Sequence, residues 1–150
     1  MVDRRGIGSW LEGPSAASGV DHGPPGLRLG LPAEGPGSVA GFGRRALALA
    51  VDWVLALVIA NGLLRGWGSP SLVPLLVLLV ENVLLVGTAG YTVGHRLLGL
   101  RVTTLTGRPP GLVKALVRSL LLILAVPPLI WDRDQRGLHD KAAGTVLLRT

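Results

Sequence analysis

With 150 residues, 49% of them hydrophobic and 4% aromatic, and a mean hydropathy of +0.52, the chain is bounded to one domain in which apolar residues crowd after position 45. The net charge of +6 comes from 15 Lys and Arg that flank apolar runs instead of gathering on one face among aromatics, which excludes a nucleic-acid surface. Cysteine is absent, which removes disulfides, thiolate nucleophiles and Cys-ligated metals.

Residues 1–38 are dominated by Gly, Pro, Ser and Ala without a sustained period, and are expected to form a flexible tail ahead of a membrane domain over 39–150. Arg4 and Arg5 are followed by no apolar stretch of the kind a secretory signal needs. A first bilayer-crossing helix is predicted over about 46–64, closed by Asn61, Gly62, Arg65 and Gly66, and a second over about 72–90, entered after Pro70 with Pro74 in its first turn. The third run, about 112–131, carries Lys114 and Arg118 near its start and Pro127 and Pro128 near its end. Its charge-free part, 119–131, reaches only ~20 Å at ~1.5 Å per residue against a hydrocarbon core of ~30 Å, so a broken or re-entrant helix is expected there. The segments LRVTTL at 100–105 and TVLLR at 145–149 are strand-like and short, and each needs a partner, which the other supplies.

The fold class that follows is an all-α membrane protein with two transmembrane helices, a third broken or re-entrant segment, and a small two-stranded β element. Arg44 and Arg45 precede the first run, and Arg96, Arg101, Arg108, Lys114 and Arg118 follow the second, whereas the linker between them carries only Arg65. The positive-inside rule therefore puts the N-terminus, the loop after Gly90 and the C-terminus with the β element on the cytoplasmic side of the cell membrane. In the same loop Arg96 and Arg101 are expected to contact anionic lipid headgroups.

Asp52 and Glu81 interrupt the two most apolar stretches. A carboxylate at lipid depth costs at least ~2.5 kcal/mol, so such groups are paired, protonated or used. Counted at ~1.5 Å per residue from the cytoplasmic ends, Asp52 lies roughly 10 Å below Arg45, Glu81 roughly 13 Å from Gly90 and Arg118 roughly 10 Å from Gly111. The shared level predicts a charge-paired cluster of Asp52, Glu81 and Arg118, with Lys114 or Arg45 nearer the interface.

Other motifs point away from catalysis. Glycines at 94 and 99 faintly imitate a phosphate loop, but no Lys-Ser/Thr follows, and the stretch reads as a basic surface turn with glycine flexibility. His139 beside Asp140 lacks a matching nucleophile, so Asp140 is read as a helix cap or a tail-docking group. His22, His95 and His139 are scattered without metal-ligand spacing. The expectation is a non-enzyme without cofactor or metal.

The stretches VAGFGRRALALAVDW, TVGHRLLGLRVTTLTGR and RGLHDKAAGTVLLR resemble the RDD family of small prokaryotic integral membrane proteins, over residues 39–150. The family is defined by an arginine and two aspartates, which map to Arg45, Asp52 and Asp140, with the same seven-residue step between the first two. SWLEGP and PGLRLGLPAEGPGS are similar to the variant found in actinobacteria, while His95 departs from the lysine usual at that position. The resemblance implies a membrane protein usually supposed to act in transport. From the residues themselves, a structural or accessory role for the charged seam is the leading reading, with a small oligomeric exchanger of protons or monovalent cations at Asp52 and Glu81 as the alternative. The partners implied are the bilayer and either further copies of the chain or a larger membrane complex.

Overall fold

A computed structural model describes residues 23–124 and 136–150. Its helices are α1 (Phe42–Gly62), α2 (Leu72–Ala89), the short α3 (Val93–Leu97), α4 (Leu112–Ile123) and α5 (Leu138–Ala143). Strand β1 (Leu100–Thr104) pairs antiparallel with β2 (Thr145–Arg149), in the register Leu100↔Arg149 to Thr104↔Thr145. The predicted β pair is therefore present, one residue shorter at 105.

The helices are built inside out relative to a water-soluble core. α1 buries Ala48, Asp52, Ala56 and Ala60, a stripe repeating every four residues, and exposes Leu47, Leu49, Trp53, Val54 and Val58. α2 buries Pro74 and Leu78 and exposes Leu72, Leu76, Val80 and Leu84, while α4 buries Ala115, Arg118 and Ser119 beneath exposed Leu112, Val113, Leu116, Val117 and Leu120. Small and polar residues face protein and large aliphatic ones face outward, the arrangement that suits lipid as solvent. Among the described residues one helix, Leu72–Ala89, is long and apolar enough to cross a membrane; α1 has 21 residues but includes Arg44, Arg45 and Asp52.

α2 changes pitch in its second half. Residues Asn82–Val86 form a π turn directly after Glu81, with Asn82 Nδ2 donating to the Leu78 carbonyl at 3.1 Å. The helix stops at Gly90, whose φ of 81° is left-handed, a conformation glycine adopts without a Cβ penalty. Gly87 is a close-approach site, since a Cβ there would lie 2.8 Å from Leu112 Cδ2.

The β element extends beyond the expected pair. Residues 37–40 run along the free edge of β2 through Gly37 N to Arg149 O (2.7 Å), Arg149 N to Ser38 O (2.9 Å), Ala40 N to Leu147 O (2.9 Å) and the bridge Val39↔Leu148. The part of the expected tail from residue 23 onward is thus hydrogen-bonded, with a short 3₁₀ turn at Leu27–Leu29, while residues 1–22 lie outside the described residues. The core joins Ala40, Leu100, Val102 and Leu147 of this element to Ala48, Val86 and Ala115 of the helices. The third segment begins as α4, which ends at Ile123; the remainder, with the expected break at Pro127 and Pro128, lies outside the described residues.

Candidate functional site: a buried polar seam

Two separate carboxylate centres occupy the seam between the helices. The first is Asp140, in the first turn of α5 and 0% exposed. Arg118 Nε of α4 donates to its Oδ1 at 2.7 Å, Arg45 Nη1 of α1 reaches Oδ2 at 3.5 Å, and the Thr145 hydroxyl donates to Oδ1 at 3.3 Å. Arg45 also uses Nε to bond the Ala40 carbonyl at 2.9 Å, which ties the helix to the edge of the β element. Burial alone would raise the Asp140 pKa, but the charges of Arg118 and Arg45 outweigh it and hold the carboxyl well below the usual carboxylate range. His139 Nε2 lies 3.5 Å from Asp140 Oδ2; burial, with the two arginines, pushes this imidazole down to about 4, so at neutral pH it is uncharged and no ion pair forms.

The second centre is Asp52, 1% exposed on the buried stripe of α1. Its partners come from the turn that follows α2. Thr92 Oγ1 donates to Oδ2 at 2.5 Å and the Gly94 amide donates to Oδ1 at 2.7 Å. Thr92 is at once the N-cap of α3: its hydroxyl oxygen accepts from His95 N, and its own N–H donates to His95 Nδ1, both at 3.2 Å. That geometry needs an unprotonated Nδ1, and burial, with Arg118 nearby, pushes His95 down to about 3. Gly94 is required by proximity, because a Cβ there would overlap the Ala48 carbonyl and lie 2.9 Å from Asp52 Oδ1.

These contacts correct three expectations. Arg118 pairs with Asp140, which comes from the far end of the sequence, rather than with Asp52 or Glu81. Of the two roles expected for Asp140, the cap is the one overturned: as a tail-docking group it is a buried charge hub, its carboxyl bonded to arginines of α1 and α4. The TVGH turn is not a flexible basic surface loop at Gly94 and His95, both of which are buried under α1; Arg96 and Arg101 remain exposed, Arg96 lying 5.0 Å from the Tyr91 ring centroid. Lys114 is exposed on α4, and does not enter the seam.

Glu81 stands apart. Both of its carboxyl oxygens are buried and neither has a hydrogen-bond partner. The Asp52 carboxyl and the Val93 N–H are the polar groups that face it, without reaching bonding geometry. Among the described residues the ionisable acidic and basic side chains of the seam are therefore two guanidiniums and three carboxyls, and both guanidiniums engage the same carboxyl, Asp140. A cavity of about 220 Å³ adjoins this polar layer, lined by the polar side chains Arg45, Asp52, Asn82, His95, Arg118, His139 and Asp140 and by apolar ones that include Phe42, Leu49 and Leu122. No group of three His, Cys, Asp or Glu side chains suited to a metal ion occurs among the described residues.

Thr92, Gly94, His95, His139 and the Arg118–Asp140 pair were not among the expected seam partners. Thr92 and His95 carried a signal, since a threonine three residues before a side chain that can accept is a capping-box spacing; the long-range pair carried none.

No curated protein and no solved structure matches the chain. The family model described as RDD family matches residues 39–144, a stretch that contains both carboxylate centres and every arginine bonded to them. The chain belongs to the RDD family, a family of integral membrane proteins.

Proposed function

We propose that the protein is a multi-pass, non-enzymatic component of the cell membrane whose polar seam is primarily structural, fastening poorly matched membrane segments into one unit that serves an accessory role in a larger assembly. The observation that carries this reading is the saturation of Asp140 and Asp52: each accepts short hydrogen bonds from side chains or backbone of other elements, leaving neither poised to exchange a ligand. In this reading α1 and α2 both cross the bilayer, α4 enters a segment that dips in and returns, and both termini are cytoplasmic with the β element. The crowding of Arg44, Arg45, Arg96, Arg101 and Arg149 at the β end supports that orientation, and exposed Arg96 and Arg101 lie where anionic headgroups would meet them. The test is membrane abundance and melting of Arg118→Gln and Asp140→Asn; wild-type levels and stability in both variants would remove the structural role.

One observation favours a second reading. The two Glu81 carboxyl oxygens are buried, unbonded and faced by the Asp52 carboxyl, a setting in which a carboxyl at lipid depth exchanges a proton or a cation. A small oligomer exchanging protons or monovalent cations would use this group, with Asp52 fixed behind it. Flux of protons, Na⁺ and K⁺ into proteoliposomes separates the readings: background rates for wild type and Glu81→Gln alike count against exchange, and a Glu81-dependent flux supports it.

A further inference from the structure

Residues 23–40 form a strap across the β element. Its anchor is the extended run 37–40 on the free edge of β2, and its turn at 26–31 folds back onto that run: Gly26 sits where a Cβ would be 2.7 Å from Val39 Cγ2, and the Ser38 hydroxyl donates to the Gly35 carbonyl at 2.6 Å. Ahead of the anchor the strap holds the sheet loosely. Between residues 23 and 37 the one buried residue is Gly26, which has no side chain to contribute, and a gap of about 130 Å³ lies between Leu29 and Leu31 of the strap and Thr103, Val146 and Leu148 of the sheet. The Thr103 hydroxyl is buried without a hydrogen-bond partner. A segment with so few buried apolar contacts is a unit that opens locally, before the rest of the fold.

The connection from the strap to α1 is a single residue. Ala40 is the last residue bonded to β2 and Phe42 the first of the helix, so Gly41, the N-cap with φ −68° and ψ 160°, makes the whole turn. Hinges this short favour the exchange of an element between copies of a chain. Exchange also keeps every contact. Gly37 N to Arg149 O, Arg149 N to Ser38 O, Ala40 N to Leu147 O and Arg45 Nε to Ala40 O all join the strap to residues beyond the hinge, so each is remade when the strap crosses to a second copy. What changes is the hinge and the entropy of association, and two copies confined to one membrane meet at a raised effective concentration. The same logic selects the occupant of the β2 edge, since the strap itself is the segment that fits it.

We infer that the β2 edge is an interface between copies of this chain, in which the strap of one protomer pairs with β2 of a second and its Ala40 carbonyl accepts from the Arg45 guanidinium across the interface. The inference goes beyond both readings of the seam and depends on neither, because Asp140, Asp52 and Glu81 lie beyond the hinge and stay within one protomer.

The chain contains no cysteine, so introduced thiols report alone. Val39 and Leu148 stand opposite each other in an antiparallel bridge, where Cα atoms are ~4.5–5.5 Å apart and within reach of a disulfide. Two differently tagged full-length copies, one Val39→Cys and the other Leu148→Cys, are co-expressed and oxidised in isolated membranes. A disulfide-linked heterodimer is expected, at a yield about tenfold or more above that of the control pair Arg101→Cys with Leu148→Cys, whose positions face each other within the β1–β2 pair and are not exchanged. Inserting Gly-Ser-Gly-Ser after Gly41 lengthens the hinge, lets the strap close on its own copy, and should lower the heterodimer yield about fivefold or more. The chain carrying both Val39→Cys and Leu148→Cys is a second arm, since a docked strap oxidises it in either case: dimers support exchange, and a product linked wholly within one chain overturns it. Absence of heterodimer from the mixed copies, a yield equal to that of the control pair, or a yield indifferent to the insertion overturns the inference as well.

Discussion

The two faces of the polar seam, one built around Asp140 and Asp52 and the other on α2 at Glu81, treat carboxyls in opposite ways. Asp140 and Asp52 are surrounded by donors from α1, α4, β2 and the turn after α2, whereas Glu81, which faces Asp52 from α2, has two buried oxygens and no bonded donor. All three carboxyl groups have their oxygens shut off from solvent, so burial of the oxygens alone does not distinguish a fastening from an exchangeable group. What distinguishes them is whether the fold brings a donor to the oxygen. A carboxylate with several charge-assisted hydrogen bonds stays ionised and immobile; one opposed by another carboxyl needs a proton or a mobile cation.

Several measurements would break or sharpen that contrast. The largest effect is expected for Asp140→Asn, which leaves Arg118 and Arg45 facing an uncharged amide: removing one partner of a buried ion pair costs about 3–5 kcal/mol, read from denaturant or thermal unfolding in detergent micelles. A loss below about 1 kcal/mol would put the Asp140 cluster on the same footing as an exposed pair.

Next come the two donors of Asp52. Gly94→Ala drives a methyl into the Ala48 carbonyl and should lower stability by about 1–3 kcal/mol, and Thr92→Val, which removes the hydroxyl from Asp52 together with the α3 cap, by about 1–2 kcal/mol. Unchanged melting in both would mean that Asp52 is not fastened by this turn.

Acidification tests the imidazoles. His95 and His139 are pushed down to about 3 and about 4 in the folded chain, from a value near ~6.5 when unfolded, so below that pH the unfolded chain binds more protons and stability falls as the pH falls. Roughly 1 kcal/mol per imidazole should be lost between about pH 6 and 5. His95→Gln keeps an acceptor for the Thr92 N–H and does not titrate, so it should flatten this slope; a slope equal to wild type would place the proton uptake elsewhere.

The smallest effect is expected for Glu81→Gln, whose stability should change by less than about 1 kcal/mol because no bond is removed and a charge is. A loss as large as that of Asp140→Asn would erase the distinction between the two faces of the seam and assign Glu81 to the fastening as well.

Much of this arrangement is legible in the residues. The runs that became α1 and α2 stand out by length and apolarity, their ends by Pro70, Gly62 and Gly90, and the β pair by two short Val- and Thr-rich segments that are unstable apart. The π turn at Asn82–Val86 left no such mark; it sits where Gly87 approaches Leu112 and Asn82 is buried in the bundle, contacts that exist only in the packed fold. The edge interaction of residues 37–40 was hidden for a different reason: a Gly- and Ser-rich stretch without period reads as tail until β2 offers it a free edge.

What the sequence determined by itself is which residues must avoid lipid: Arg45, Asp52, Glu81, Arg118 and Asp140 are costly at membrane depth wherever the chain puts them, a constraint set by residue chemistry and by the apolar runs around them. Which of them are bonded to each other was decided by tertiary structure alone. Arg118 and Asp140 are 22 residues apart and Arg45 and Asp140 are 95 apart, and no local rule links such positions. Counting depth along straight helices brought Asp52, Glu81 and Arg118 to one level but could not say which way each side chain turns. Orientation follows from the α1 stripe of Ala48, Asp52, Ala56 and Ala60, from Gly94 closing against it, and from α5 returning Asp140 beneath α4, all of which exist only once the segments are packed.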